Sequence, residues 1–148
     1  IERNRDVLTR TALAFALAGD AAKALPLIQE LEEKHPKDTM VNQVWLPEIK
    51  AAIEFRKNNA EGALELLKPT ERYESAAGFS SQTLRSMVYL KLDQGAHAEA
   101  EARKILDHRG QSPLSSLWPL AHLTLARAAA MQRNTAEAQS NAESRSKN

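Results

Sequence analysis

Four histidines are the residues in this chain best suited to metal binding or proton transfer. Ligands on one helix must stand three or four residues apart to share a face. His97, His108 and His122 are 11 and 14 residues apart, His35 lies far upstream, and no cysteine assists them. That spacing argues against a metal site. His108 reads instead as a helix C-terminal cap, and His122 as facing a neighbouring helix. Glu30, Glu32 and Glu33 are close enough in sequence for acid–base work, but with Lys34 and Lys37 beside them they read as an ion-paired outer helix face. Ser112, Ser115 and Ser116 fall at a loop and helix start, where serine serves as an N-cap, and no base or orienting partner can be named for them. We expect no catalytic residue, no cofactor and no bound metal.

The elements that position these side chains are helices. The 148 residues are 43% apolar and 26% charged, and alanine and leucine supply most of the apolar mass. Both residues lose little on entering a helix. Five glycines and six prolines are too few for a turn-rich all-β chain. The net charge of +1 is spread without a basic block, which gives no footprint for nucleic acid or an anionic membrane. No apolar run approaches the roughly 18 residues of a spanning helix. The chain starts at Ile1, inside what reads as a helix, so we expect a segment of a longer protein whose targeting signals lie elsewhere.

Helix-breaking residues cluster at Gly19-Asp20, His35 to Asp38, Lys57-Asn58-Asn59, Tyr73 to Ser81, Asp93-Gln94-Gly95, Arg109 to Pro113 and Arg133-Asn134. About eight helices of roughly 12 to 18 residues are expected between them. Leu8 to Pro36 fits a tetratricopeptide pattern: Leu8, Ala12 and Phe15 on a first helix, Gly19-Asp20 as turn, then Ala24, Ile28 and Leu31, with Pro36 past the end. Small residues at Ala12 and Ala24 let the two axes approach closely. Further crossing alanines, Ala63, Ala98 and Ala138, follow Ala24 at steps of 39, 35 and 40 residues. The third unit sets Ser86 and Tyr89 against Ala98, Ala102 and Ile105, and the fourth sets Ala126 and Ala129 against Ala138 and Ala142. Pro47 fits a first helical turn or kinks a helix already started. Gly110 suits a left-handed position past a helix end.

The expected fold is an all-α, right-handed superhelix of about four antiparallel helix pairs. It forms a single array over 1–148, with repeats near 4–38, 39–73, 79–110 and 114–148. The last helix, alanines among polar residues from Thr135 to Asn148, should dock loosely and fray beyond Ser140.

Three stretches carry a narrower resemblance: Trp45-Leu46-Pro47-Glu48-Ile49-Lys50-Ala51-Ala52-Ile53, Lys104-Ile105-Leu106-Asp107-His108-Arg109-Gly110 and Leu120-Ala121-His122-Leu123-Thr124-Leu125-Ala126-Arg127-Ala128. They resemble the carboxy-terminal tetratricopeptide region of acidobacterial serine/threonine kinases of the eukaryotic type, and of related winged-helix regulators. The resemblance implies a parent with a kinase or DNA-binding domain ahead of the array. It also implies an extracytoplasmic array where that parent spans the membrane, and a cytoplasmic one otherwise. The chain itself has no glycine-rich phosphate loop, no His-Arg-Asp and no Asp-Phe-Gly, so kinase activity is not expected here.

In tetratricopeptide arrays the first helices line a concave groove. Carried over by repeat phase, that surface comprises Thr9, Leu13, Glu48, Ala52, Phe55, Arg56, Thr83, Met87, Lys91, Leu123, Arg127 and Met131. Leu13, Phe55, Met87 and Leu123 suit either a groove floor or packing against the next helix. Arg56, Lys91 and Arg127 suit either an anion-attracting strip or an ordinary solvated face. Thr9 and Leu13 stand where a chaperone-tail clamp would place lysine and asparagine, so that ligand is not expected. The expected partner is a protein or peptide. The alternative is self-association through the exposed end helix and the stripe Trp45, Phe55 and Trp118.

Overall fold

Three turns with the same backbone geometry organise the chain. Gly19, Asn58 and Asp93 are left-handed, with φ of 86°, 66° and 56°. Their amides reach back three residues, to Ala16, Phe55 and Leu90, at 3.0, 3.2 and 3.3 Å. The next amides, of Asp20, Asn59 and Gln94, reach back five, to Phe15, Glu54 and Tyr89, at 2.9, 3.0 and 2.9 Å. This pairing closes one helix by satisfying its last carbonyls. The residue that ends the turn then starts the next helix, with φ of −92°, −95° and −98° at Asp20, Asn59 and Gln94. Asp20 and Asn59 add a side-chain cap, accepting from the amides of Lys23 and Gly62 at 3.2 and 3.1 Å. The left-handed residues recur at steps of 39 and 35.

The structure, a computed structural model, describes residues 4–74, 78–108, 110 and 115–146, with the side chains of 138, 140 and 141–146 left out. It is all-α. Among the described residues seven helices pack as antiparallel hairpins: α1 (Arg5–Ala18), α2 (Ala21–Lys34), α3 (Leu46–Arg56), α4 (Ala60–Leu67), α5 (Ser80–Lys91), α6 (Gly95–Asp107) and α7 (Leu117–Ser146). The chain divides into two units, Ile1–Leu84 and Arg85–Asn148.

In the first unit, α1 packs on α2 and α3, and α3 packs on α4. Leu8, Ala12, Ala24, Ile28 and Leu31 are buried, as the repeat pattern requires, and Ala24 and Ala63 have no exposed surface. Phe15 is half-buried, with the Lys23 ammonium 5.4 Å from its ring centre. Helical backbone begins at Thr39, ahead of α3, and passes through a wide turn at Val41–Trp45 in which the Leu46 amide bonds to the Val41 carbonyl. Pro47 explains the widening. It has no amide to donate, and its ring would crowd the carbonyl four residues back. Beyond α4 the chain tightens into a short 3-10 segment at Lys68–Tyr73, with Pro69 in its first turn.

In the second unit, the Arg85 side chain on α5 bonds Glu101 on α6 at 3.0 and 3.1 Å, in an interior where Arg85 is 2% exposed. Ser86, Ala98, Ala102 and Ile105 are buried as expected, and Tyr89 stacks on His97 at 5.1 Å. His108 ends α6, its ring Nδ1 2.8 Å from the Lys104 carbonyl, while Gly110 does not adopt a positive φ.

The fourth repeat differs most from expectation. Arg133 and Asn134 do not form a turn. They lie within α7, one continuous helix of 30 residues. Ala126 and Ala129 are exposed, and Trp118, Ala121, Thr124 and Ala128 face inward instead. The close crossing comes from Gly95, where a β-carbon would stand 3.1 Å from the Ala128 carbonyl oxygen. The side chains of Ala138 and Ala142 lie outside the described residues, as do Arg109, Ser112 and Pro113. The backbone is helical to Ser146.

Candidate interaction surface

The twelve residues expected to line a groove divide between the units and differ in exposure. In the first unit Thr9, Glu48 and Ala52 are buried. The Thr9 hydroxyl donates to the Arg5 carbonyl at 2.8 Å. Glu48 accepts from the hydroxyls of Ser80, at 2.7 Å, and Ser81. These three side chains hold the interior together and present nothing to a ligand. A buried carboxylate needs such donors, and two serines opening α5 supply them. Leu13, Phe55 and Thr83 are half-buried, and Arg56 is exposed.

In the second unit Met87, Lys91, Leu123 and Arg127 are exposed, and Met131 is half-buried. Leu120, Leu123, Arg127 and Met131 follow one another at helical spacing along α7, and the two leucines are 45% and 44% exposed. His122, expected to face a neighbouring helix, is exposed. The three aromatics considered for self-association do not form an exposed stripe. Trp118 is buried, Phe55 is half-buried, and Trp45 lies beneath the Arg5 guanidinium at 4.8 Å.

Two arginines stand in hollows beside a left-handed turn. Arg56 closes α3 and lies over the α1–α2 turn, its Nε 3.3 Å from where a Gly19 β-carbon would stand. Ala16, Ala18, Ala21 and Ile53 line that hollow, of about 240 Å³, together with Lys57. Arg127 lines a more open hollow with Asp93, of the α5–α6 turn, and Ala130, Met131, Asn134 and Thr135. Neither arginine bonds a carboxylate among the described residues, whereas Arg5, Lys23, Lys34, Lys50, Lys57, Lys68, Arg85, Arg103 and Lys104 all do. Sequence spacing named both arginines but not the turns beneath them, because a side chain's reach to another hairpin has no local signal.

The other chemically capable residues are engaged locally. Glu30 accepts from Lys34, Glu32 from Lys50 and Glu33 from Gln29, at 2.7, 2.8 and 2.9 Å. Ser115 Oγ accepts from the Leu117 amide at 3.2 Å, capping α7. Among the described residues no three histidines, aspartates or glutamates gather as a metal would require, and no helix is long and apolar enough to cross a membrane. Set beside protein-family models, curated proteins and solved structures, the chain matches none.

Proposed function

We propose that this chain is a protein- or peptide-binding module of the tetratricopeptide kind, its hairpins continuing as a right-handed superhelix. Its role is to recruit or sense a partner for a larger signalling protein such as a serine/threonine kinase. The observation that supports this best is the recurrence of one turn geometry at Gly19, Asn58 and Asp93, at the steps that separate the buried crossing alanines Ala24, Ala63 and Ala98. Stacked hairpins of this kind offer a rigid surface formed before the ligand arrives, so binding orders the ligand more than the receptor. Arg56, Met87, Lys91, Leu123 and Arg127 are the expected groove residues that are exposed.

The test compares the immobilised chain with an Arg56→Glu, Arg127→Glu variant and with an Arg10→Glu, Arg133→Glu variant of the same charge. A partner identified from lysate, purified, and bound by the chain and the second variant but not the first supports the reading. Equal binding by all three overturns the groove as the working surface.

Exposed Leu120 and Leu123 favour one alternative, self-association through α7. A mass that rises with concentration and reverts to monomer in Leu120→Glu, Leu123→Glu favours that reading.

A further inference from the structure

We propose that the hollow between Gly19 and Arg56 is a subsite for the carboxylate of an aspartate or glutamate in an acidic peptide ligand. The inference rests on the peptide-binding reading and names the chemistry at one point of it. A guanidinium carries five donors in a planar fork that matches a carboxylate edge to edge. That of Arg56 has no carboxylate partner among the described residues. It also lies against the bare backbone of Gly19, its Nε 3.3 Å from where a β-carbon there would stand. The walls from Ala16, Ala18, Ala21 and Ile53 bring no acceptor side chain to compete for its donors. The nearby acids are committed elsewhere: Asp20 to Lys23 at 2.7 Å, and Glu54 to Lys57 and Asn59 at 3.0 and 2.8 Å. At about 240 Å³ the hollow has room for one acidic side chain.

The assignment is tested by NMR titration of the whole chain with acetyl-Ala-Glu-Ala-Ala-amide, following the Gly19 amide and the Arg56 Nε–H. The expected result is a saturable shift at both, and binding at least about tenfold weaker for the glutamine counterpart. Arg56→Gln should abolish the response of the Gly19 amide, Arg56→Lys should weaken it, and Arg133→Gln, which removes the same charge elsewhere, should leave it intact. No saturable shift, equal response to the glutamine peptide, or equal loss in Arg133→Gln overturns the proposal. An equal response to inorganic phosphate makes the hollow a general anion contact and also overturns it. A protein partner that binds the Arg56→Gln variant unchanged removes this subsite and leaves the broader function standing.

Discussion

At the scale of single residues, the turns separate what backbone needs from what side chains add. Gly19, Asn58 and Asp93 share a left-handed conformation, yet only the first is a glycine. A side chain with a β-carbon is strained there. Gly19→Ala should therefore cost about 1–2 kcal/mol. Asp93→Gly, which relieves the same strain, should gain about 0.5–1 kcal/mol. Urea unfolding of both variants checks the opposed signs, and a stabilising Gly19→Ala would defeat the account. These positions were legible in sequence as breaks, because glycine, asparagine and aspartate mark helix ends. Their shared conformation was not. Nor was the burial of Glu48, since a glutamate on a helix looks solvated until two serines some thirty residues later are brought to it.

At the scale of elements, the first three hairpins follow the periodic pattern, whereas the expected fourth is one continuous helix, α7. Alanines at Ala24, Ala63 and Ala98 could be read because each stands five residues past a helix-ending residue, Gly19, Asn58 or Asp93. In α7 alanine is so frequent that spacing cannot say which alanines face inward, and the single asparagine of Arg133-Asn134 does not stop the helix. Gly95 decides the register, by setting the start of α6 against Ala128 and Gln132. Glycine to alanine usually favours a helix, but here the new methyl meets a carbonyl oxygen at 3.1 Å. Gly95→Ala should thus lose about 1 kcal/mol where an unobstructed helical site would gain. Beyond Gln132, α7 outruns α6, and residues 133–137 and 139 are exposed. A lone helical extension of that length is marginal in water. Hydrogen exchange should show protected amides in α7 up to about Gln132 and fast exchange from there on. Equal protection along all of α7 would mean that its far half is held by something other than α6.

At the scale of the whole molecule, fold class and the turns at hairpin ends come from local patterns, whereas exposure of the surface depends on long-range packing. Charge shows the same division. The near-neutral total conceals a set of carboxylates each held below its usual range by a specific donor. Asp20 is lowered mainly by the Lys23 side chain, and Asp38 mainly by Arg5, with the Val41 amide second. Glu54 is lowered first by Asn59 and then by Lys57, and Glu99 first by Gln132 and then by Arg103. A carboxylate whose folded pKa is depressed contributes stability above its unfolded pKa, near 3.9 for aspartate and 4.3 for glutamate, and loses it as pH falls through the folded value. The melting temperature should accordingly hold between about pH 5 and 7 and fall below about pH 4. Asp38→Asn should fall less steeply, since the group that binds Arg5 and begins the Thr39 helix no longer titrates. Added salt should flatten the contributions of Asp20 and Asp38, which rest chiefly on charged donors. It should leave more of those of Glu54 and Glu99, whose largest donors are neutral amides. Carboxyl-carbon NMR titration of the four groups checks the premise directly, and ordinary midpoints at all four would break the link between these contacts and acid stability.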